Sequence, residues 1–230
     1  LKEVNVPIYA TKLTIAIIEH KLEEHNMLKK VKRKVVKYGQ HINLGCFRVE
    51  FIRTNHSIQD AAALAIYSPA GTVVHTGDFK VDYTPVFGDS IDLQRFAELG
   101  KKGVLALMCD STNAERPGFT PSERTVGVTF DNIFSEHTNT RLIIATFASN
   151  VDRVQQIINS AYKYGRKVVV EGRSMVNIID TATKLGYINI PDNTLIDIEQ
   201  LKNYPDEKTV IITTGSPVSY THLRAHETVL

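Results

Sequence analysis

The pattern of apolar and polar residues changes part-way along the chain. Over residues 10–25, apolar residues recur every three or four positions, which predicts an amphipathic helix. A tight turn is predicted at 68–71, where the sequence is SPAG. Short β-like runs surround this turn at 31–38, 46–53, 63–67 and 72–75. The first part of the chain is therefore predicted to form adjacent strands.

After a second predicted helix at 91–100, apolar runs alternate with helical stretches. The apolar runs lie at 104–108, 141–147, 167–172 and 209–215. Helical spacing is found at 122–136, 150–164 and 175–185. This strand, helix, strand repetition predicts a parallel sheet covered by helices. The loop at 113–124 is rich in Pro, Gly and Ser, and is the best candidate for a transition between two layers or domains.

Composition narrows the class of protein. With 230 residues and 43% hydrophobic content, the chain can bury a substantial core. Its 27 Lys and Arg nearly balance 25 Asp and Glu, so net charge does not indicate a partner. Cys46 and Cys109 lie far apart, which favours a reducing, cytoplasmic compartment over a disulfide framework. No stretch approaches the roughly 20 apolar residues that span a bilayer, so no membrane partner is expected.

The stretch 53–82 carries the residues best suited to chemistry. His56 follows one predicted strand, and Asp78 follows another strand and a glycine. Imidazole nitrogen and carboxylate oxygen bind Zn²⁺ and similar ions when strand ends present them to a shared cleft. A His and an Asp at such a separation are common, however. Spacing alone therefore favours a hydrogen-bonded turn His and a loop Asp over a metal site.

Longer motifs resemble a known family. TNHSIQD at 54–60 and VVHTGDFKVDYTPV at 73–86 are similar to the third and fourth metal-ligand motifs of the ribonuclease J family, in the β-CASP branch of the metallo-β-lactamase superfamily. Later segments of that family resemble CDSTNAERPGFTPSER at 109–124, ATFASNVDRVQQII at 145–158 and GRKVVVEGRSM at 165–175. The resemblance covers roughly residues 1–216.

The resemblance implies an α/β fold in two parts. Residues 1–140 would form the C-terminal part of a metallo-β-lactamase core, a partial αββα sandwich. Residues 141–216 would begin the parallel-sheet β-CASP domain, so the chain is expected to be an internal segment of a longer protein. Residues 217–230 depart from the family's pattern, and we expect them to be a non-native tail that does not contribute to the fold.

The resemblance also implies roles for three residues. His56 would bind one metal ion and Asp78 would bridge two, with Zn²⁺ expected and Mn²⁺ an alternative. In the family, paired ions activate a hydroxide for attack on an RNA phosphodiester and stabilise the charge on phosphorus. Asp78 and Asp110 would be the catalytic carboxylates, with Asp110 orienting a metal ligand. Without the resemblance, Asp110 is equally well explained as a turn or helix cap.

Several other residues have both a functional and a structural interpretation. Ser149, Asn150 and Arg153 are candidate RNA contacts at a helix N-terminus, but an N-cap by Ser149 or Asn150 explains them at least as well. His75 is expected to be a buried, hydrogen-bonded strand residue rather than a cleft residue. The basic group that includes Arg166 is expected to be a solvated face rather than a substrate contact.

Departures from the family pattern leave alternatives open. Gln59 replaces a Pro and Ala61 replaces a Ser, although neither change removes an expected ligand. The H-x-H-x-D-H motif, which supplies most of the family's ligands, does not occur in the chain. The parent is expected to be a cytoplasmic, homo-oligomeric (dimeric or tetrameric) 5′ to 3′ exonuclease and endonuclease that works with other RNA-decay proteins. The alternatives are a non-catalytic truncated scaffold, or another β-CASP nuclease that acts on DNA or on RNA 3′ ends.

Overall fold

The computed structural model describes residues 3–4 and 6–214, so the tail at 217–230 lies outside the described residues. In the described part, the strands are β1 (Ile8–Ala10), β2 (Arg33–Val35), β3 (His41–Leu44), β4 (Phe47–Arg53), β5 (Ala62–Ser68), β6 (Gly71–His75), β7 (Ala106–Met108), β8 (Leu142–Thr146), β9 (Lys167–Val170) and β10 (Thr209–Thr214). The α-helices there are α1 (Lys12–Glu24), α2 (Leu93–Lys102), α3 (Glu123–Glu136), α4 (Val151–Lys163) and α5 (Arg173–Lys184). Each helix and strand predicted from periodicity is present. None of these helices is both long and apolar enough to cross a membrane.

Contacts divide the chain into two compact units, Leu1–Ser122 and Glu123–Leu230. The division falls within the loop at 113–124 that composition marks as a transition. Helix α3 belongs to the second unit because it packs on α4, where Ser160 Oγ donates to the Asp131 carboxylate at 2.9 Å. The sequence-based boundary at 140 lies after this helix and stays a prediction.

The first unit is built on a five-stranded sheet with the order β3-β4-β5-β6-β7. Strands β3 to β6 are antiparallel neighbours, and β7 runs parallel to β6. The predicted tight turn joins β5 to β6, with Ser68 paired to Gly71. The run at 104–108, predicted to belong to the parallel series, instead adds β7 to this mostly antiparallel sheet. A separate parallel pair, β1-β2, and helix α1 complete the unit.

Alternation along the strands supplies an apolar layer to both faces of this sheet. One face packs against α2 through a buried cluster of Ile52, Ala63, Ala65, Val74 and Leu99. The opposite face carries a second buried cluster, formed by Val36, Val49 and Phe51, with Tyr9 of β1 against it. The sheet is therefore an interior layer in the region of β4 and β5.

Cys46 and Cys109 are both free and exposed.

A buried ion pair crosses from the sheet to α2. Glu50 is only 3% exposed, and its two carboxylate oxygens accept hydrogen bonds from Arg95 Nε at 2.7 Å and Nη2 at 2.8 Å. The hydroxyl of Tyr67 donates to the same carboxylate at 2.5 Å. Burial alone would raise the pKa of Glu50, but the hydrogen bonds from Arg95 and Tyr67 outweigh it and lower the pKa to about 2. Glu50 is therefore held ionised inside the unit.

The second unit contains a three-stranded parallel sheet with the order β8-β10-β9. This arrangement confirms the predicted parallel sheet with helices between the strands. One buried cluster joins the three strands through Ile143, Val169 and Ile211. Arg166 is 4% exposed and donates to the carbonyl oxygens of Thr140, at 2.9 Å, and His137. The expectation that Arg166 belongs to a solvated face is therefore wrong, because the residue is buried and its guanidinium donates to backbone carbonyl groups.

Replacing Arg95 with Met should leave the buried Glu50 carboxylate without its guanidinium partner, with only the Tyr67 hydroxyl and the His41 imidazole beside it, so we expect the free energy of unfolding to fall by about 3–5 kcal/mol. The double variant Glu50→Met/Arg95→Met should recover much of that loss, because no buried charge remains. Urea unfolding at pH 7 measures both. Lys184→Met, which removes an exposed pair with Asp180, is the control and should cost less than about 1 kcal/mol. Equal stability of the single and double variants would contradict the prediction.

Acid should weaken the same interaction. Because the pKa of Glu50 is lowered from 4.5 to about 2 by folding, its stabilising contribution is complete above the unfolded value and is lost as pH falls from 4.5 towards 2. The difference in unfolding free energy between the unaltered chain and Glu50→Gln should therefore shrink over this window. Denaturant titrations between pH 7 and pH 2.5 test it, and a difference independent of pH would refute the assignment.

Candidate active site

The C-terminal ends of three strands meet at one edge of the five-stranded sheet. Strands β4 and β6 run in the same direction because both are antiparallel to β5, and β7 is parallel to β6. The loops that follow these strands carry His56, Asp78 and Asp110, respectively. Strand direction therefore brings to one edge three residues that are far apart in sequence.

His56 and Asp78 converge at this edge. His56 Nε2 lies 3.9 Å from Asp78 Oδ2, and the side chains are 34% and 78% exposed. An imidazole nitrogen and a carboxylate oxygen are thus presented together to solvent, where an ion and its water can reach them. These are donor types that Zn²⁺ and Mn²⁺ accept. Their role as metal ligands stays a prediction.

Asp110 lies beside the same pair. Its Oδ1 accepts hydrogen bonds from the Thr112 hydroxyl at 2.7 Å and the Thr112 backbone N–H at 2.9 Å. These bonds are the main cause of its lowered pKa, and the backbone N–H of Phe79 and the charge of His56 act in the same direction against the effect of burial. The carboxylate therefore caps its own turn and also faces the residues next to Asp78. The two sequence-based interpretations of Asp110 are compatible in space.

Asn55, which the sequence did not single out, ties the His56 loop to the Asp78 loop. Its backbone carbonyl accepts from Lys80 N at 2.8 Å. Its side-chain Oδ1 accepts from Ile91 N at 2.7 Å, and Nδ2 donates to Asp89 O at 3.1 Å. Asn55 therefore anchors both ends of the segment that follows Asp78. No periodicity marks such a residue, since its partners come from a distant loop.

The turn after His56 closes despite the two departures from the family pattern. Ala61 O accepts from the backbone N–H of Thr54 and from the Tyr38 hydroxyl, each at 3.2 Å. Asp60 adopts a left-handed conformation with φ of 61°, and its Oδ2 accepts from Leu13 N at 3.4 Å in the first turn of α1. Burial raises the pKa of Tyr38, which keeps its hydroxyl protonated as a donor. The turn that presents His56 is thus held by groups other than Pro and Ser.

His75 differs from its expectation. It is exposed rather than buried, and its Nδ1 accepts a hydrogen bond from Gly77 N at 3.0 Å. The expectation of a hydrogen-bonded strand His was right about the bond and wrong about burial. The backbone of His75 pairs with Leu64 of β5 and Met108 of β7, but its side chain is exposed at the C-terminal end of β6. His75 supports the turn at Gly77, where φ is +62°, and so helps to present Asp78.

Within residues 3–4 and 6–214, no group of three or more His, Cys, Asp and Glu side chains is arranged to hold a metal ion. Zn²⁺ is usually bound by four ligands in structural sites and by three protein ligands in catalytic ones. His56 and Asp78 therefore fit a metal ion in kind but not in number. On its own, this pair should bind metal weakly.

The candidate RNA contacts lie in the second unit, at the start of α4. Asn150 is 3% exposed, and its Oδ1 accepts from Arg153 N at 3.2 Å, which is the predicted N-cap bond. The Arg153 guanidinium donates to the Glu123 carboxylate at 2.8 and 3.1 Å. Ser149 is half-buried in the same loop. Asn150 thus has the capping role, and contact of these residues with RNA stays a prediction.

The second unit also has an open hollow of about 530 Å³ beyond β9, beside the N-terminus of α5. Its charged lining residues are Glu171, Arg173, Asp197 and Glu199. Three carboxylates against one guanidinium would repel a phosphate group. We therefore do not assign RNA binding to this hollow.

Comparison with known proteins agrees with the motifs. Residues 139–221 match a family model described as Ribonuclease J, beta-CASP domain. The chain is 49% identical to Ribonuclease J of Synechocystis sp. over 94% of its own length and 34% of the relative's. It is 41% identical to Ribonuclease J2 of Bacillus subtilis over 94% of the chain and 39% of that relative. The chain therefore spans a little over a third of the length of these relatives.

A solved structure shares the fold. A protein of unknown function from Enterococcus faecalis matches 93% of this chain and 54% of its own, with a TM-score of 0.63 and 18% identity. At this identity the match supports the fold alone. The predicted α/β architecture is thus confirmed, and the β-CASP match is consistent with a metallo-β-lactamase-like fold.

The pairing of His56 with Asp78 makes a prediction about metal binding. We expect Mn²⁺ to broaden the backbone amide resonances around residues 56, 78 and 110 before others, because a paramagnetic ion held there relaxes nearby nuclei. His56→Ala and Asp78→Asn should each remove this selective broadening. His25→Ala, which removes an exposed imidazole after α1, is the matched control and should leave it unchanged. Uniform broadening in the unaltered chain would contradict the prediction.

Proposed function

Since the chain belongs to the ribonuclease J family, we propose that it carries one part of a two-metal centre that hydrolyses RNA phosphodiesters. The observation that supports this most directly is the 3.9 Å approach of His56 Nε2 to Asp78 Oδ2, at the two places where the family's ligand motifs are matched. The pair lies at a sheet edge with solvent access. The remaining ligands would come from parts of the relatives that this chain does not span.

The chemistry divides between the ions and the residues that hold them. Bound Zn²⁺, or Mn²⁺, would lower the pKa of a water molecule and neutralise charge on the phosphoryl oxygens. Asp78 suits a bridging position because its carboxylate is 78% exposed and projects from a tight turn. Asp110 is kept ionised by its bonds from Thr112, so that its negative charge favours the imidazole orientation needed at His56.

RNA would be bound mainly through its phosphates, so we propose weak sequence preference. Of the three candidate contacts, Asn150 is engaged as a helix cap and Arg153 in an ion pair with Glu123. The Ser149 hydroxyl, in the loop before α4, is therefore the group best placed to meet a phosphate. We further propose that the whole protein acts in the cytoplasm as a homo-oligomer, degrading RNA by 5′ to 3′ exonucleolytic and endonucleolytic cleavage together with other RNA-decay proteins.

Two alternative functions differ in how well the chain supports them. Another β-CASP nuclease, acting on DNA or on RNA 3′ ends, is less well supported because the sequences HTGDFK and DSTN resemble the ribonuclease J family more closely. A non-catalytic role for the 230-residue chain by itself is favoured by a specific observation, since the described residues offer no cluster of three metal ligands. We therefore propose that catalysis requires the longer protein.

The isolated chain should bind Zn²⁺ weakly and cleave no RNA, because losing several ligands costs more than the loss of one oxyanion donor, which alone reduces rate by about 10² to 10³. Calorimetry with Zn²⁺ and incubation with 5′-labelled single-stranded RNA measure the two properties. Tight stoichiometric zinc together with metal-dependent cleavage by the chain alone would refute the proposal.

Activity can be tested by transplanting residues 3–214 into the Synechocystis relative in place of its homologous segment. We expect the chimaera to degrade labelled RNA, and Asp78→Asn in it to reduce cleavage by at least about 10³ while RNA binding is retained. Asp180→Asn, at an exposed carboxylate in α5, is the matched control and should leave the rate unchanged. A folded chimaera in which Asp78→Asn cleaves normally would exclude the proposed role of Asp78.

A further inference from the structure

One buried hydroxyl joins the two loops that carry the carboxylates. Thr76 directly follows β6 and is 7% exposed. Its Oγ1 donates to Gly77 O at 2.7 Å, with Met108 O also within 3.4 Å, and accepts a hydrogen bond from Asp110 N at 3.0 Å. Its backbone N–H donates to Met108 O at 3.0 Å. The side chain therefore touches the turn before Asp78 and the peptide of Asp110.

Regular structure does not hold these loops together. The paired residues of β6 and β7 end at His75 and Met108, so the ladder stops before either carboxylate is reached. Beyond these residues, the hydrogen bonds of the Thr76 hydroxyl to Gly77 O and Asp110 N take the place of backbone bonds between strands. Its donor and acceptor functions are both used, which no aliphatic side chain of the same shape could reproduce.

Further hydrogen bonds fix the orientation of the Asp110 carboxylate. The two hydrogen bonds from Thr112 orient the Asp110 side chain relative to its own backbone. The bond to Thr76 then fixes that backbone relative to the Gly77 turn. These bonds, together with the one from the Phe79 backbone N–H to the carboxylate, hold Asp110 near Asp78 and His56.

From this geometry we propose that Thr76 is a positioning residue, whose hydroxyl sets the separation between Asp78 and Asp110. The importance of Thr76 for catalysis rests on the proposed function. The hydrogen bond from Asp110 N to Thr76 Oγ1 is independent of that function and can be measured in the chain without metal.

Thr54 provides a matched control in the same unit. It is 4% exposed, directly follows β4 and lies two residues before His56, but its Oγ1 has no hydrogen-bond partner. Thr→Val replaces a hydroxyl by a methyl group of similar shape. Thr54→Val removes a hydroxyl without hydrogen bonds, whereas Thr76→Val removes one that is hydrogen-bonded. A difference between the two variants therefore reports the effect of the hydrogen bonds.

The test compares Thr76→Val, Thr76→Ser and Thr54→Val by amide hydrogen exchange and by Mn²⁺ broadening. In Thr76→Val, the Asp110 amide should exchange at least about tenfold faster, because its buried donor loses its acceptor. With Mn²⁺ at His56 and Asp78, broadening at Asp110 should fall relative to that at Asp78. Thr76→Ser should restore both properties, and Thr54→Val should change neither.

Several results would overturn the proposal. Unchanged Asp110 exchange in folded Thr76→Val would show that the hydroxyl is not the acceptor, and a Thr76→Ser variant no better than Thr76→Val would transfer the effect to the methyl group. If Thr76→Val fails to fold, the Asp110 amide shift in the unaltered chain decides, since a steep temperature dependence would indicate a bond to water instead. Absence of selective Mn²⁺ broadening in the unaltered chain would count against the proposed metal site, whereas the exchange experiment would still decide the role of Thr76.

Discussion

The backbone pairing from β4 to β7 is the constraint on which the candidate site depends. Antiparallel pairing of β5 with both neighbours makes β4 and β6 point the same way, and parallel pairing adds β7 in that direction. Three chain segments therefore leave the sheet at one edge. The buried Glu50–Arg95 pair and the apolar clusters on both faces stabilise this sheet, so that its loops start from fixed positions.

Beyond the ends of the strands, hydrogen bonds from polar side chains connect the loops. Asn55 joins the loop of His56 to that of Asp78, and Thr76 joins the latter to Asp110. Such groups hold the loops of His56, Asp78 and Asp110 in place, which is the preorganisation that the proposed metal centre would need. His56 and Asp78 lie at this edge, although the described residues offer too few such side chains for a complete zinc site.

Three expectations from the sequence failed for a common reason. His75 was expected to be buried, Arg166 to be solvated, and the run at 104–108 to belong to the parallel sheet. Each depends on which distant segment becomes a neighbour. His75 lies at the exposed C-terminal end of β6, Arg166 is buried and donates to the carbonyls of His137 and Thr140, and 104–108 pairs with β6. Local pattern carries no information about such neighbours.

By itself, the sequence determined the helices, most strands, the tight turn at 68–71 and the motifs that include His56, Asp78 and Asp110. These follow from periodicity and residue type, which act over a few positions. Strands β1 and β3 lie outside the predicted β-like runs, whereas the equally short β2 and β7 lie within longer ones. Only the tertiary structure decided that His56 meets Asp78 and that Asn55 and Thr76 connect the loops. Those contacts arise from strand order and burial, which bring together residues that no local pattern relates.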